Sequence, residues 1–196
     1  MSIILLDIGN VLVTVDFMRC CRAVAIDLYA GPEEISLKYC AGELKEKLET
    51  GWIGPLEYLA MIARDPQVKA VPLHVIKQYW QDIFEPLEGA VEAVRFLREM
   101  HSLWIMSDTD PLHFTFLLNN YPLLRSAERY YLSFEHGRMK SSVEAFSHVL
   151  GSGRSADEFI LIDDKAVNGA SASTAGIRTI LFQSWSDTLE SLVSWS

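Results

Sequence analysis

Four short apolar runs along the chain each lead to a polar residue of a chemically active type. Ile3-Ile4-Leu5-Leu6 stops at Asp7, and Leu103-Trp104-Ile105-Met106 stops at Ser107. Tyr130-Tyr131-Leu132 is followed at a short distance by Lys140, and Phe159-Ile160-Leu161-Ile162 ends on Asp163-Asp164. Uninterrupted apolar runs of about four residues suit strands of a parallel sheet buried on both faces. Between them, from residue 87 onward, the pattern switches to helical spacing. Ala90, Val94 and Leu97 mark a helix over 88–100, 142–150 a second, stopped at Gly151-Ser152-Gly153, and 166–175 a third, ended by Gly176. Arg178 to Phe182 reads as one more strand. This alternation predicts an α/β fold with a doubly wound, mostly parallel sheet.

Residues 16–86 follow a different rule. Val24, Leu28, Ile35, Leu44, Leu48, Leu56, Leu59 and Ile62 recur at helical spacings, punctuated by Gly31-Pro32, Gly51, Gly54-Pro55 and Asp65-Pro66. The segment reads as several short helices with no strand. The expected organisation is therefore a core of residues 1–15 and 87–196, with a helical cap of residues 16–86 inserted after the first strand. An insertion at that edge is placed to act as a lid over a site.

Composition narrows the partners. The 196 residues are 49% hydrophobic and 22% charged, ordinary for a globular chain, with a formal net charge of −9. Phosphate backbones require clustered Lys and Arg, so no nucleic-acid partner is expected. Cys20, Cys21 and Cys40 lack metal-ligand spacing and read as reduced, mostly buried thiols. The N-terminal run has no basic region and breaks at Asp7, unlike a signal peptide, and no apolar stretch approaches the ~20 residues that span a bilayer. A cytoplasmic protein with no membrane partner is the expectation. Oligomeric state is not legible.

In a parallel sheet, ligands bind beyond the carboxyl ends of the strands. Asp7, Ser107, Lys140 and Asp163-Asp164 would then share one edge. Taken singly, each has an ordinary explanation: an aspartate or serine at a strand end is commonly a turn or helix cap, and a lysine is commonly solvated. Their joint placement points to one site, suited to phosphoryl transfer. A carboxylate attacking phosphorus divides one difficult hydrolysis into two easier steps. Mg²⁺, held by one or two carboxylates, would neutralise the phosphate's charge.

The stretch Asp7-Ile8-Gly9-Asn10-Val11, with Ser107, Lys140 and Asp163-Asp164 in the same order over nearly the full length, resembles the haloacid dehalogenase-like (HAD) superfamily. Within it the chain looks closest to small bacterial sugar-phosphate phosphatases that share the Asp-x-Gly-Asn-Val motif. The resemblance implies a HAD-like, Rossmannoid core with a helical cap. It also implies a Mg²⁺-dependent phosphatase that hydrolyses a small phosphorylated metabolite, such as a sugar phosphate, through an aspartyl-phosphate. Asp7 would be the nucleophile, with Ser107 and Lys140 holding the phosphoryl group. Asp7, the Gly9 carbonyl, Asp163 and Asp164 (the last directly or through water) would hold the metal, and Asn10 and Asp108 would face the substrate. The alternatives are a 2-haloacid dehalogenase and a non-catalytic phosphate-binding protein.

Several positions depart from the pattern. Gly9 stands where most such phosphatases have a second aspartate, a general acid whose contribution is ~10²–10⁴-fold. Its absence leaves three readings: a substrate with a good leaving group, such as an anomeric sugar phosphate or an acyl phosphate; another group that takes over the proton; or a protein weak or inactive as a catalyst. Asp108 replaces an asparagine and is read first as the cap of a helix beginning at Pro111. Val167 sits where an acid is common, with Asn168 beside it, and Ser141 replaces a proline. His113 reads equally as a substrate contact or a structural histidine. His136 and Arg138 read as solvated loop charges, Trp52, Tyr58 and Tyr79-Trp80 as lid aromatics, and Trp185 and Trp195 as packing for a final helix.

Overall fold

Each apolar run forms a strand of one sheet in the computed structural model, which describes residues 2–194. In chain order the strands are β1 (Ile3–Leu6), β2 (Val13–Val15), β3 (Phe84–Pro86), β4 (Ser102–Ser107), β5 (Arg129–Leu132), β6 (Phe159–Asp163) and β7 (Arg178–Leu181). Five of them make the main sheet in the order β5-β4-β1-β6-β7, and every neighbouring pair is parallel. The chain works outward from β1 to β4 and β5, then returns to β6 on the other side of β1. That reversal opens a crevice at the carboxyl ends of β1 and β6, where such sheets bind ligands.

Alternation along the strands explains why the runs are apolar throughout. Ile4, Leu6, Leu103, Ile105, Ile160 and Ile162 pack on one face with Val94, Leu97, Trp185 and Leu192. Ile3, Leu5, Trp104, Met106, Phe159 and Leu161 pack on the other with Phe146, Val149 and Ala172. Both faces are covered by helices, so neither parity of residue meets water.

The helices are α1 (Phe17–Val24), α2 (Gly31–Ile35), α3 (Gly42–Glu49), α4 (Pro55–Ala63), α5 (Leu73–Gln81), α6 (Ala90–Met100), α7 (Pro111–Asn120), α8 (Ser133–His136), α9 (Ser147–Leu150), α10 (Ala166–Thr174) and α11 (Trp185–Ser194). A π-helical turn, Ser36–Cys40, joins α2 to the approach to α3. The helix expected over 142–150 is divided into a 3-10 turn, Val143–Phe146, and α9, with Ala145, Phe146 and Val149 buried. Trp185 anchors α11 by donating from Nε1 to the Val11 carbonyl at 3.0 Å. Trp195 lies outside the described residues.

Helices α1 to α5, the expected lid, pack around a cluster of their own, which includes Cys21, Val24, Tyr39, Tyr58, Leu59, Ile62 and Trp80. The expectation of no strand within 16–86 is corrected here. Residues 84–86 form β3, which pairs antiparallel with β2, so the chain enters and leaves the lid through a two-stranded ribbon. Three residues are too few for a strand period to register in the sequence.

Two further contacts fix the lid to the core. His113 lies between acceptors, Asp110 at 2.7 Å from Nδ1 and the Trp80 carbonyl at 2.7 Å from Nε2, and its ring stacks on that of Trp80. Trp80 also donates from Nε1 to Asp110 at 3.2 Å. Burial alone would raise the Asp110 carboxyl, but His113 and its neighbouring donors hold it below its ordinary range. His113 is thus structural. At the far side, Gly51 adopts a left-handed φ of 74°, and a Cβ there would lie 2.6 Å from the Phe134 carbonyl oxygen.

Gly51→Ala should lower the unfolding free energy by about 1–3 kcal/mol, because backbone conformation and contact both oppose a side chain. Gly169→Ala should act oppositely. It lies inside α10, where a Cβ would meet Thr179 at an ordinary 3.7 Å, and Ala favours the helix by about 0.5–1 kcal/mol. Urea denaturation of both variants checks the pair, and equal signs would contradict the analysis.

Candidate active site

Asp7 follows β1 directly, and its backbone N–H donates to the Ile162 carbonyl at 3.0 Å, which sets its side chain against the end of β6. Beyond it the chain turns sharply. The N–H groups of Leu12 and Val13 both reach the Ile8 carbonyl, and Asn10 takes a left-handed φ of 55°. Asparagine tolerates that conformation better than most residues. Its amide is used at both ends, accepting from Val15 N at 3.3 Å and donating to Asp164 at 3.0 Å. Asn10, expected to face substrate, is placed as a brace between the β1 turn and the β6 acids.

Lys140 arrives from the loop after α8, which turns at Gly137, and is only 2% exposed. Its ammonium lies 2.8 Å from Asp7 Oδ1 and 2.5 Å from Asp163 Oδ2. Asp108 Oδ1 accepts from the Lys140 backbone N–H at 2.9 Å, fixing the lysine's position from the end of β4. Asp108 therefore does not cap the helix at Pro111. Asp110 does, accepting from the N–H groups of Leu112 and His113, because it is the residue immediately before the first helical turn.

The two acids after β6 have different surroundings. Asp163 is saturated: Oδ1 accepts from Lys165 N at 2.8 Å and Asn168 Nδ2 at 2.9 Å, while Oδ2 takes the Lys140 ammonium. Asp164 is half-satisfied. Asn10 reaches Oδ2, but Oδ1 is buried with no hydrogen-bond partner. Ligand oxygens of Asp7, Asp163 and Asp164 lie within 4.8 Å of one another, close enough to share a metal ion. Ser107, buried at the end of β4, lines a small crevice with Asp108, Arg138 and Lys140.

Electrostatics reflect this crowding. Burial raises the Asp7 carboxyl to about 6, with Lys140 opposing and Asp163 adding to the rise. Burial would lower Lys140, yet Asp7 and Asp163 hold it above its ordinary range, so it stays charged. Three carboxylates against one ammonium leave the cluster net negative, which favours a cation beside it.

Above this edge lies a cleft of about 410 Å³ lined by Cys40, Glu43, Lys45, Glu46 and Glu49 of the lid, with Met139 and Lys165 of the core. Helix α3 supplies most of the cleft's charged residues from the side of the expected lid. Trp52 is exposed, whereas Tyr58 and Trp80 are lid core. His136 stacks on His148, and Arg138 donates to the Gly137 carbonyl. A larger cavity of about 780 Å³ runs along β2, β3 and α6, and Asp7, Asp163 and Asp164 are not among its lining residues. Asn168 holds the Asp163 carboxylate through its amide, a role its sequence context barely marks. The only cue was its position five residues after Asp163, on the first turn of α10.

No family model matches the chain. Among solved structures, it is similar to a HAD family enzyme from Bacteroides thetaiotaomicron, at 25% identity over 96% of this chain and 98% of that one, with a TM-score of 0.81. That enzyme was solved in complex with magnesium and inorganic phosphate. A HAD-like family hydrolase from Porphyromonas gingivalis is 21% identical over 98% of each chain (TM-score 0.77). The L-2-haloacid dehalogenase of Xanthobacter autotrophicus shares the fold at 15% identity, over 100% of this chain and 84% of that one, with a TM-score of 0.66. The chain thus has the fold of HAD-like hydrolases, and the carboxyl edge of its sheet gathers Asp7, Ser107, Lys140, Asp163 and Asp164. No helix among the described residues is long and apolar enough to cross a membrane.

Lys140→Met should lower the unfolding free energy by about 3–5 kcal/mol, since it leaves Asp7 and Asp163 buried without their counter-charge. Chemical denaturation at neutral pH without added metal measures this. A change below about 1 kcal/mol would mean the acids are solvated and the triad is not a buried unit.

Proposed function

We propose that this hydrolase is a Mg²⁺-dependent phosphatase for a small phosphorylated metabolite with a good leaving group, such as a sugar 1-phosphate (α-D-glucose 1-phosphate is an example). The observation that carries the reading is the orphaned Asp164 Oδ1 beside Asp7, next to a lysine buried among acids. A buried carboxylate oxygen without a donor is a ready ligand for a hard cation. Asp7 and Asp164 would hold Mg²⁺ directly, with the Gly9 carbonyl as a further ligand. Asp163, whose oxygens already accept from Lys140, Asn168 and Lys165 N, is assigned to positioning the lysine. Bound Mg²⁺ would neutralise the phosphate's charge and let an anionic nucleophile approach.

In the proposed reaction the Asp7 carboxylate attacks phosphorus, the alkoxide or acyloxy group leaves, and an aspartyl-phosphate forms on Asp7. Water then cleaves that intermediate and frees the carboxylate. Lys140 stabilises charge on the transferring group, and Ser107 donates a hydrogen bond to it. The Mg²⁺-and-phosphate complex of the Bacteroides relative supports the assignment.

The experiment is phosphate release from a panel of sugar 1-phosphates, sugar 6-phosphates and acyl phosphates, with Mg²⁺ or with EDTA. Turnover should require Mg²⁺ and vanish in Asp7→Asn. Metal-independent release of halide from a 2-haloacid would replace this reading with a dehalogenase, and phosphate binding without turnover with a binding protein.

Gly9 gives a sharper test. A Cβ there would stand 3.3 Å from Val15 Cγ2, so a side chain fits once that methyl shifts by a few tenths of an ångström. Gly9→Asp should raise turnover of sugar 6-phosphates more than that of sugar 1-phosphates, since only poor leaving groups need the added acid. Equal acceleration of both would remove the leaving-group argument.

The pH dependence follows from Asp7. Protons and Mg²⁺ compete for its carboxylate, and without metal that group titrates near 6. Mg²⁺ affinity should hold steady above pH 6 and fall about tenfold per unit below it. Calorimetric titration with Mg²⁺ from pH 5 to 8 reads this, and an affinity flat across the range would exclude Asp7 as a ligand.

A further inference from the structure

Two of the three thiols touch, although the sequence separates them by 19 positions. Cys21 Sγ, on the buried side of α1, lies 3.6 Å from Cys40 Sγ, at the end of the π-helical turn. Cys21 is 1% exposed, while Cys40 is partly exposed and lines the cleft between lid and core together with Lys45. Cys20, the sequence neighbour of Cys21, is buried as well, with no hydrogen bond to either sulfur among those of the described residues. One thiol is therefore reachable from solvent, and a second stands directly behind it.

We propose that Cys21 and Cys40 form a reversible oxidation site, in which Cys40 exchanges with a low-molecular-weight disulfide and Cys21 resolves the adduct into an intralid disulfide. Either sulfur can donate in the contact, so a single proton can rest on either one. In the arrangement with the proton on Cys21, the Cys40 thiolate is open to the cleft beside the Lys45 ammonium. It attacks one sulfur of the reagent, the reagent's S–S bond breaks, and one thiol leaves, taking up a proton. The Cys21 sulfur, losing its proton, then attacks the Cys40 sulfur of the mixed disulfide, and the second reagent thiol leaves carrying that proton. Two protein thiols are oxidised and one reagent disulfide is reduced to two thiols.

Geometry favours closure. A disulfide bond is about 2.05 Å long, so the sulfurs need to approach by about 1.5 Å, shared between two side chains. The contact between the two sulfurs holds Cys21 below the ordinary thiol range and, with burial, holds Cys40 above it, so Cys40 attacks from the minor arrangement in which the proton has moved to Cys21; burial pushes Cys20 up to about 12 and leaves it inert. The bond would tie α1 to the turn that leads through Ala41 into α3, the helix lining the cleft. Lid geometry would then depend on the redox state of the surroundings, whatever the substrate is.

The test uses the full chain and hydroxyethyl disulfide, a neutral probe that the lid's acids neither attract nor repel. The folded protein should become two hydrogens lighter, keep one alkylatable thiol at Cys20, and yield a Cys21–Cys40 linked peptide. Dithiothreitol should restore three thiols. Cys21→Ser, or Cys21→Ala if the serine variant fails to fold, should stop at one mercaptoethanol adduct on Cys40. Cys40→Ser should resist the probe, and Cys20→Ser should behave as wild type. Three unreacted thiols in the folded protein, under conditions that oxidise the denatured chain, would overturn the proposal. So would a cross-link through Cys20, or a stable adduct on wild type identical to that on the Cys21 variant.

Discussion

A lysine ammonium 2% exposed and held between two carboxylates is the contact on which the arrangement of this molecule turns. An isolated ion in such a place is several kcal/mol less stable than in water, and only close, well-oriented partners offset that. The partners come from separate parts of the chain: Asp7 from β1, Asp163 from β6, and Asp108, from the end of β4, on the lysine's own backbone N–H. The sheet order makes this meeting possible, because β1 lies between β4 and β6 and its last residue, Leu6, is in register with Ile105 and Ile162 near the ends of both. Register and site are one constraint. A one-residue slip of any of these strands would also turn its apolar residues to the wrong face.

The lid is fastened at places that leave the cleft open between them. The β2–β3 ribbon carries both crossings, and the Trp80–Asp110–His113 cluster locks α5 to α7. Gly51 brings the chain after α3 against the Phe134 carbonyl with no room for a side chain. Because α3 is held at one end by this contact, its charged face is positioned over Met139 and Lys165, the chain neighbours of Lys140 and Asp164. The specificity of the proposed reaction would rest on that face.

Much of this was legible in the sequence, for a definite reason. Doubly buried strands write themselves as apolar runs, and the residue that ends each run is the residue the sheet presents to the crevice. Asp7, Ser107 and the Asp163-Asp164 pair are found that way. The rest depends on contacts that leave no periodic trace. The ribbon strand Phe84–Pro86 is three residues long, and Asn168 differs from a solvated asparagine only by which way α10 is turned. The cap expected of Asp108 falls to Asp110, two residues on, a distinction set by where β4 ends and α7 begins. The contact between Cys21 and Cys40 requires the lid to be folded before it exists.

The departures from the pattern of related phosphatases are also not equivalent. Val167 points outward, more than half exposed, while Asn168 donates to both oxygens of Asp163. An amide there adds donors without adding negative charge, so Asp163 can accept from Asn168 and Lys140 together. That saturation is what leaves Asp164 as the acid with a free oxygen, and Asn10 orients it by holding the other one. Of the two adjacent aspartates, Asp163 holds the lysine, while Asp164 keeps a buried oxygen without a hydrogen-bond partner, the one to which the proposed cation is assigned. Gly9 has no such compensation in its own side chain. The chemistry the site can perform is therefore set less by how many acids it holds than by which of their oxygens the fold has left without a donor.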